Sequence, residues 1–475
     1  MSAPSRRHGG HATRSTGRHA ALAAAGAAFA AYAAASYAVM RRVDAMVHEP
    51  YMDEMFHIPQ AQRYCRGEFG AWDPKLTTPP GLYLASLALV AGARALGLSR
   101  APCSVGGLRA ANWALSLALF WTLYGLVRRL HRDLSAWATA AATLALALFP
   151  LSFFFHHLFY TDTASLLLVL LTYLLSLHRR HALAGLAGAA SLWMRQTNVV
   201  WVALIGASAA LHWLQSRHGI ARPGDSLACS LAQLGRWAVR LSGADVPLFR
   251  LLAPYVLVAA LFAVFVVVNG GIVLGDKAHH QAGVHVPQLL YFCAYLAAMA
   301  APAVLPAADP RALARAAARS PVRSAALILA LSAAMAVGIA RYTVEHPFLL
   351  SDNRHYTFYI WKDIFRRHWA ARYLAIPAYL YAVVAVQRSL GHMPALWQIA
   401  LLLCTAAVLI PSPLLEFRYF TAPYYFARLH MPLAPSWRYA TLELLWFATI
   451  NAATIWMFLY RPFETEPGCL QRFMW

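Results

Sequence analysis

An all-α polytopic membrane protein is the fold class this 475-residue sequence predicts, on three observations. Hydrophobic residues make up 60% of the chain and charged residues 12%, against about 25% charged in a typical soluble domain. Apolar runs recur along the sequence, several of them about 20 residues long and so able to cross the hydrocarbon core. The basic residues behind the formal net charge of +21 fall in short clusters between those runs, as cytosolic loops do under the positive-inside rule. There is no soluble basic domain to bind nucleic acid, so nucleic acid is set aside as a partner.

Residues 1–19 hold Arg6, Arg7, Arg14 and Arg18 among Gly, Ser and His, and read as a disordered cytosolic tail. The apolar run Ala20–Met40 is the first span. A cleaved signal peptide is the other reading, but the run exceeds a usual signal core and Met40-Arg41-Arg42 is a poor cleavage site. Residues 41–107 then form a long loop on the far side. Its Pro50–Tyr83 portion is polar and broken by prolines, so it cannot cross as a lipid-exposed helix, where freed backbone groups would find no partners.

The apolar piece Leu82–Leu98, interrupted by Arg94, reads as an in-plane or re-entrant helix. Further spans are then expected near 108–127, 134–150, 163–177, 182–194, 198–213, 253–271, 288–308, 324–340, 370–386, 397–411 and 438–460, about twelve in all. The transmembrane domain is thus 20–460, with a basic cytosolic linker at 214–252 and a cytosolic C-terminal tail at 461–475. In this register the clusters Arg128-Arg129…Arg132, His178–His181 and Arg311…Arg323 all become cytosolic. The polar, aromatic-rich loops 41–107, 151–162, 195–198, 272–287, 341–369 and 412–437 gather on the opposite face.

Candidate chemistry lies in those loops. Asp53-Glu54 reads either as a general base with a partner, ionised at neutral pH given an unperturbed pKa of about 3.9, or as a helix N-terminal acid pair. Trp72 and Asp73 could stack on and bond a sugar, or belong to the proline-fixed turns at WDP and TTPP. Tyr160 and Asp162 could bind substrate, and Asp162 could equally cap the next helix. His156-His157 with Asp53 and Glu54 offer metal-ligand types, but no HExxH-like spacing supports a divalent metal. Arg195, Lys277, Arg354, His355 and Arg418 are cations on the face where positive-inside predicts depletion. They suit a lipid-linked phosphate, unless carboxylates such as Asp276, Asp352 or Glu416 neutralise them. The aromatic runs read mainly as interfacial belts. Six cysteines show no zinc spacing; Cys65 and Cys103 share the far face and could pair.

At YMDEMFHIPQAQRYC, WDPKLTTPPGLY, YTD, RQTN, GDKAHH, HPFLLSDNRHYTFYIW and EFRYF, the chain closely resembles the eukaryotic dolichyl-phosphoglucose-dependent α-1,2-glucosyltransferases. These enzymes add the last glucose to the lipid-linked oligosaccharide used for N-glycosylation. The blocks run in order from about residue 50 to 425. The resemblance implies a GT-C glycosyltransferase fold in the endoplasmic reticulum membrane with a lumenal active site. It implies dolichyl phosphate glucose as donor and the diglucosylated dolichyl-diphosphate oligosaccharide as acceptor. No cofactor is called for by the residues, and a divalent metal is left open without support from them. Lys75, where an uncharged residue is expected, and the long 214–252 linker are departures.

A β donor giving an α product requires inversion, hence one in-line displacement with one base. On this reading Asp53 deprotonates the acceptor 2-hydroxyl, and Glu54, its catalytic partner, orients that hydroxyl or binds sugar. Arg195, Lys277, Arg354, His355 and Arg418 hold the donor phosphate; His57, Trp72, Asp73, Tyr160, Asp162 and Asp352 hold sugar or acceptor. The competing class is a transporter or a channel-regulating membrane protein. A transporter would carry ionisable groups at mid-span and inverted repeats.

Overall fold

A computed structural model of the chain describes residues 10–97, 103–239, 246–277, 281–433, 437–466 and 469–475. Helix α1 (Gly10–Met46) starts well before the apolar run. Over residues 10–19 the expectation of a disordered tail is therefore corrected: the Ala-rich run is a strong helix former, and a helix once nucleated propagates upstream cheaply. Residues 1–9 of that expected tail lie outside the described residues.

The far-side loop carries α2 (Glu54–Cys65) and α3 (Gly81–Ala95), and the chain then enters α4 (Val105–Leu130). Ser104 caps α4, its hydroxyl accepting from Gly107 N at 3.1 Å. Next come α5 (Ala136–Ala147), α6 (Pro150–Phe155), α7 (Thr161–Leu177), α8 (His181–Leu192), α9 (Asn198–His218), α10 (Leu227–Val239) and α11 (Val246–Asn269). A bent stretch follows, α12 (Gln288–Met299), α13 (Ala301–Ala307) and α14 (Pro310–Ala318), before α15 (Pro321–Tyr342). Short turns α16 (Pro347–Ser351), α17 (Tyr356–Tyr359) and α18 (Ala371–Leu374) precede α19 (Ile376–Ser389), α20 (Ala395–Leu409), α21 (Thr421–His430) and α22 (Trp437–Tyr460). The chain ends in a two-stranded antiparallel hairpin, β1 (Phe463–Glu466) and β2 (Cys469–Gln471).

The described chain is thus mostly helical, as expected of a polytopic membrane protein. Six described helices are long and apolar enough to cross a membrane, or seven if the pair bent by 96° around Ala300 counts as one.

Residues 41–107 leave and re-enter the bundle at one end. Arg109, one turn into α4, lies 3.5 Å from Asp44, in the last turn of α1. Apolar side chains of α2, α3 and the loop between them, with Leu108, Phe159 and Met194, form a second, smaller core that includes Ile58, Leu76 and Tyr83. Gly81 starts α3 where the Trp193 carbonyl accepts from its N–H at 2.9 Å. A Cβ at Gly81 would collide with that same backbone, so α3 docks there only because this residue has no side chain.

One segment departs from the expected topology. Residues 412–437 were expected as a single far-face loop, yet α21 runs through the bundle to the other end. The Tyr173 hydroxyl is 2.8 Å from His430 Nε2, and a His131 ring N–H donates to the Leu429 carbonyl at 2.8 Å. Tyr173 and His131 lie at the ends of α7 and α4 remote from Asp162 and Arg109. Residues Pro423–His430 of α21 are all buried. Protein rather than lipid surrounds it, so ten residues rich in Tyr, Arg and His carry no hydropathy signature of a crossing.

Helix α22 therefore runs opposite to the expected direction, tied to α21 by a buried bidentate pair of Arg428 with Glu443 at 2.7 and 2.8 Å. The end of the chain returns to the 41–107 face. Arg472 N donates to the Tyr51 hydroxyl at 2.8 Å, and Met474 N donates to the Arg354 carbonyl at 2.9 Å. The tail 461–475, expected on the cytosolic face, sits beside the first loop instead.

Candidate active site

The site is built from the end of α1 upward. A fully buried guanidinium, Arg109, organises the turn between α1 and α2. Its NH1 donates to the Val47 carbonyl at 2.6 Å and its NH2 to the Glu49 carbonyl at 3.2 Å. Its Nε and NH2 form a fork on Glu54, 2.9 Å to Oε1 and 2.5 Å to Oε2. Glu54 accepts two more bonds, from Phe159 N at 2.6 Å and Tyr51 N at 3.0 Å.

Both Glu54 oxygens are thus engaged and the side chain has no exposed surface. The expected catalytic partner is corrected on this point: Glu54 cannot touch a sugar. It locks the turn that presents its neighbour. That turn is strained at Met52, a non-glycine residue at φ +56°, a conformation that costs roughly 1–3 kcal/mol and persists where the surroundings over-determine it.

Asp53 follows directly. Its backbone N–H donates to the Tyr160 hydroxyl at 3.1 Å, and Oδ2 accepts from Arg418 NH1 at 2.9 Å. Among the described residues Oδ1 has no hydrogen-bond partner, and the side chain keeps 37% of its surface open. Burial acts to raise the Asp53 carboxyl, but Arg418, then His57 and His355, more than reverse this, so it lies below the usual carboxylate range. One oxygen is fixed and the other is free, which is the arrangement of an oriented carboxylate base.

Arg418, on the 3₁₀ turn Phe417–Phe420, sits over the rings of Tyr160 at 5.2 Å and Phe155 at 5.5 Å. It also pairs with Glu416 and lies 3.7 Å from Asp162. Asp162 Oδ2 accepts from Arg195 NH2 at 2.9 Å, while Arg195 Nε donates to Thr161 Oγ1 at 3.0 Å. Asp352 and Arg354 form a fork within one turn, at 2.7 and 2.8 Å. His355 donates from Nδ1 to the Trp475 carbonyl at 2.7 Å and lies 3.7 Å from Asp352.

Of the two readings open for these cations, neutralisation by carboxylates holds for three of the five: Arg195, Arg354 and Arg418 pair closely with acids of this chain. Lys277 differs. It is exposed, its Nζ donates to the Asn269 carbonyl at 2.5 Å, and it has no carboxylate partner among the described residues.

The expected sugar ligands divide in the same way. Tyr160 is buried and serves Asp53 and Arg418. Asp352 is spent on Arg354. Asp73 Oδ1 accepts from Lys75 N at 2.9 Å, an Asx turn of the kind WDP suggests. Trp72 lies half-buried with its ring 6.1 Å from that of Tyr83. His57 is buried with Nδ1 2.7 Å from the Tyr83 hydroxyl, and burial, reinforced by Arg418 and Arg195 against Asp53 and Asp162, pushes it down to about 4. Lys75 lies over the Phe56 ring.

His156 and His157 are buried and turned into the bundle, His156 Nδ1 being 3.1 Å from Thr163 Oγ1. Among the described residues no group of three His, Cys, Asp or Glu side chains is arranged to hold a metal. Cys65 and Cys103 form a disulfide that ties the end of α2 to the start of α4.

Sequence reading missed Arg109 and Asn112 as site builders. Asn112 donates to the Leu158 carbonyl at 2.6 Å, the Phe155 carbonyl at 3.1 Å and Thr163 Oγ1 at 3.1 Å, and so shapes the YTD loop. A signal existed for Arg109: a cation at the far-face end of an apolar helix is the same anomaly that drew attention to Arg195 and Arg418.

Fold and site together define a polytopic membrane protein that gathers a part-exposed, oriented carboxylate and three arginines at one end of its helix bundle. The chain belongs to the DIE2/ALG10 family, whose model matches residues 47–429. A relative from Rattus norvegicus is 37% identical over 450 residues, covering 90% of this chain and 94% of its own length. Relatives from Homo sapiens, 35% over 448 residues (90% and 94%), and Arabidopsis thaliana, 35% over 493 residues (91% and 96%), are similar along nearly their whole length. All three are named Dol-P-Glc:Glc(2)Man(9)GlcNAc(2)-PP-Dol alpha-1,2-glucosyltransferase. No solved structure matches the chain.

Proposed function

We propose that this protein transfers glucose from dolichyl β-D-glucosyl phosphate, in α-1,2 linkage, onto Glc2Man9GlcNAc2-diphosphodolichol at the lumenal face of the endoplasmic reticulum membrane. The observation that carries the reading is Asp53: Oδ2 held by Arg418, Oδ1 free, and the carboxyl depressed into its ionised form. The names of the relatives supply donor and acceptor. The Cys65–Cys103 disulfide on the same face supports its exposure to an oxidising compartment. A GT-C architecture is part of the proposal, and α21 adds one crossing to the twelve expected. The tail 461–475 is then lumenal.

In this mechanism Asp53 Oδ1 takes the proton of the acceptor 2-hydroxyl as O2 attacks the anomeric carbon. The bond from that carbon to the phosphate oxygen breaks on the opposite side, through an oxocarbenium-like state, and dolichyl phosphate leaves. Cations stabilise the charge that develops on the leaving group. Of the five candidates, Lys277 is free for this role as it stands. Arg195, Arg354 and Arg418 would have to exchange a carboxylate for phosphate, so Arg418 is better read as positioning Asp53. Divalent metal has no part in the proposed steps.

The test is Asp53→Asn in purified enzyme, assayed for glucose transfer from a short-chain donor. We expect turnover to fall by a factor on the order of 10²–10⁴, the usual range for loss of a general base, with donor affinity kept. Turnover within a few fold of wild type would remove Asp53 as the base.

A further inference from the structure

A cavity of about 730 Å³ opens at the end of the bundle opposite Asp53. Arg109 and Arg129 lie on the same uninterrupted helix α4, and twenty residues of α-helix span about 30 Å, one hydrocarbon thickness. The cavity is therefore at the other membrane interface, and the glucosyl-transfer reading has no use for it.

Its charge is one-sided. Arg129, Arg132, Arg179 and Arg217 line it with several histidines, and among the described residues no Asp or Glu does. Arg129 is occupied, donating twice to the Leu177 carbonyl at the end of α7. Arg132, Arg179 and Arg217 form no ion pair among the described residues. Arg179 is held at the cavity at φ +59°, a backbone conformation a side chain adopts at a cost. Asp225, on the segment that contributes Pro223 to the wall, is turned to Arg222 N at 3.0 Å and Gln233 Nε2 at 3.2 Å.

The other half of the lining is apolar. Trp213, Leu251, Met393 and Trp397 contribute to it, and Leu251 belongs to α11, whose hydrophobic surface is largely exposed along its length. A cavity with cationic and apolar walls that touches a lipid-facing helix suits an amphiphile with an anionic head.

We propose that this cavity binds the phosphate-bearing headgroup of an anionic membrane lipid, with Arg132, Arg179 and Arg217 as its charge partners. Phosphate attracts unpaired guanidinium groups and offers oxygens for their forked donors. The apolar wall takes the first part of the acyl chains.

The test titrates the full-length purified protein with dioctanoyl phosphatidic acid, dioctanoyl phosphatidylcholine and inorganic phosphate, reading bound mass by native mass spectrometry. Phosphatidic acid should bind with one-to-one stoichiometry, with phosphatidylcholine at least tenfold weaker. The triple variant Arg132→Gln, Arg179→Gln, Arg217→Gln should lose affinity roughly a hundredfold, since each arginine near a membrane surface contributes about a factor of five. A control of equal charge change on the same face, Arg311→Gln, Arg315→Gln, Arg319→Gln, should stay within threefold of wild type. Equal loss in both triples would reduce the effect to bulk charge and overturn the site. Inorganic phosphate binding as tightly as phosphatidic acid would overturn the lipid assignment.

Discussion

Replacing Glu54 by Gln separates an architectural acid from a catalytic one. The carboxylate accepts four bonds, two from Arg109, one from Phe159 N and one from Tyr51 N, with no exposed surface on either member of the ion pair. A Gln has one acceptor oxygen and brings an NH2 that must face donors on the other side. At least one donor loses its acceptor, and Arg109 becomes a buried charge compensated only by Asp44 at 3.5 Å. Breaking a buried pair in this way costs about 3–5 kcal/mol, against a total stability of about 5–15 kcal/mol for a typical domain.

The expected result is a markedly earlier unfolding transition of the detergent-purified protein, with transfer activity falling as the Met52–Asp53 turn relaxes. Arg109→Lys should do the same, because an ammonium cannot reproduce the fork. The assay is thermal unfolding followed by intrinsic tryptophan fluorescence, beside glucose transfer measured well below both midpoints. An unchanged transition in Glu54→Gln, with turnover lost, would refute the architectural reading and return Glu54 to the chemistry.

Two pH effects and one redox effect follow. Arg418→Gln removes the charge that overrides burial at Asp53, so the acid limb of the pH–rate profile should move to higher pH; an unmoved limb would detach Asp53 from that limb. His57 has a folded pKa of about 4, below its ordinary value of about 6.5. The unfolded chain therefore binds more protons between those values, and stability should rise with pH across that window and flatten outside it. In His57→Gln the rise should shrink, which denaturation midpoints at pH 4.5 and 7 would measure. Reducing the disulfide, or Cys103→Ser, opens a loop of 38 residues and should cost about 4 kcal/mol on a chain-entropy account, read as an earlier unfolding transition.

The helical fold and the one-sided clustering of ionisable loops were legible because both rest on strong, local signals: long apolar runs and charge asymmetry. The segment around Asp53 drew attention for a similar reason, since an acid pair in a proline-broken stretch stands out against Ala and Leu. What escaped was set by packing. Helix α21 is screened from lipid on every side, so the hydropathy of Thr421–His430 says nothing of its path. The last residues of the chain accordingly lie beside the first loop, where the apolar runs alone did not place them. Asp53 and Glu54 are adjacent and chemically alike, and only the placement of Arg109, fifty-five residues on, distinguishes them by burying Glu54 and leaving Asp53 partly exposed.

The pairing of Arg195, Arg354 and Arg418 shows why counting charges misled. Nineteen acids against forty basic residues give the chain a cationic surplus only as a whole. Desolvation acts locally, however, and a guanidinium at a buried interface is stable only with a partner close by. Acids have been drawn to this face, with Asp162, Asp352 and Glu416 each set against an arginine, and the surplus is left where water and lipid headgroups can compensate it. The same physics makes Arg132, Arg179 and Arg217 informative. They are exposed, unpaired and lie around one cavity, so an anion entering there displaces no protein carboxylate. At the Asp53 face a phosphate must compete with Asp162 or Asp352 for its guanidinium. That competition disfavours resting occupancy and favours binding when the full donor, with its sugar and lipid contacts, offsets the exchange.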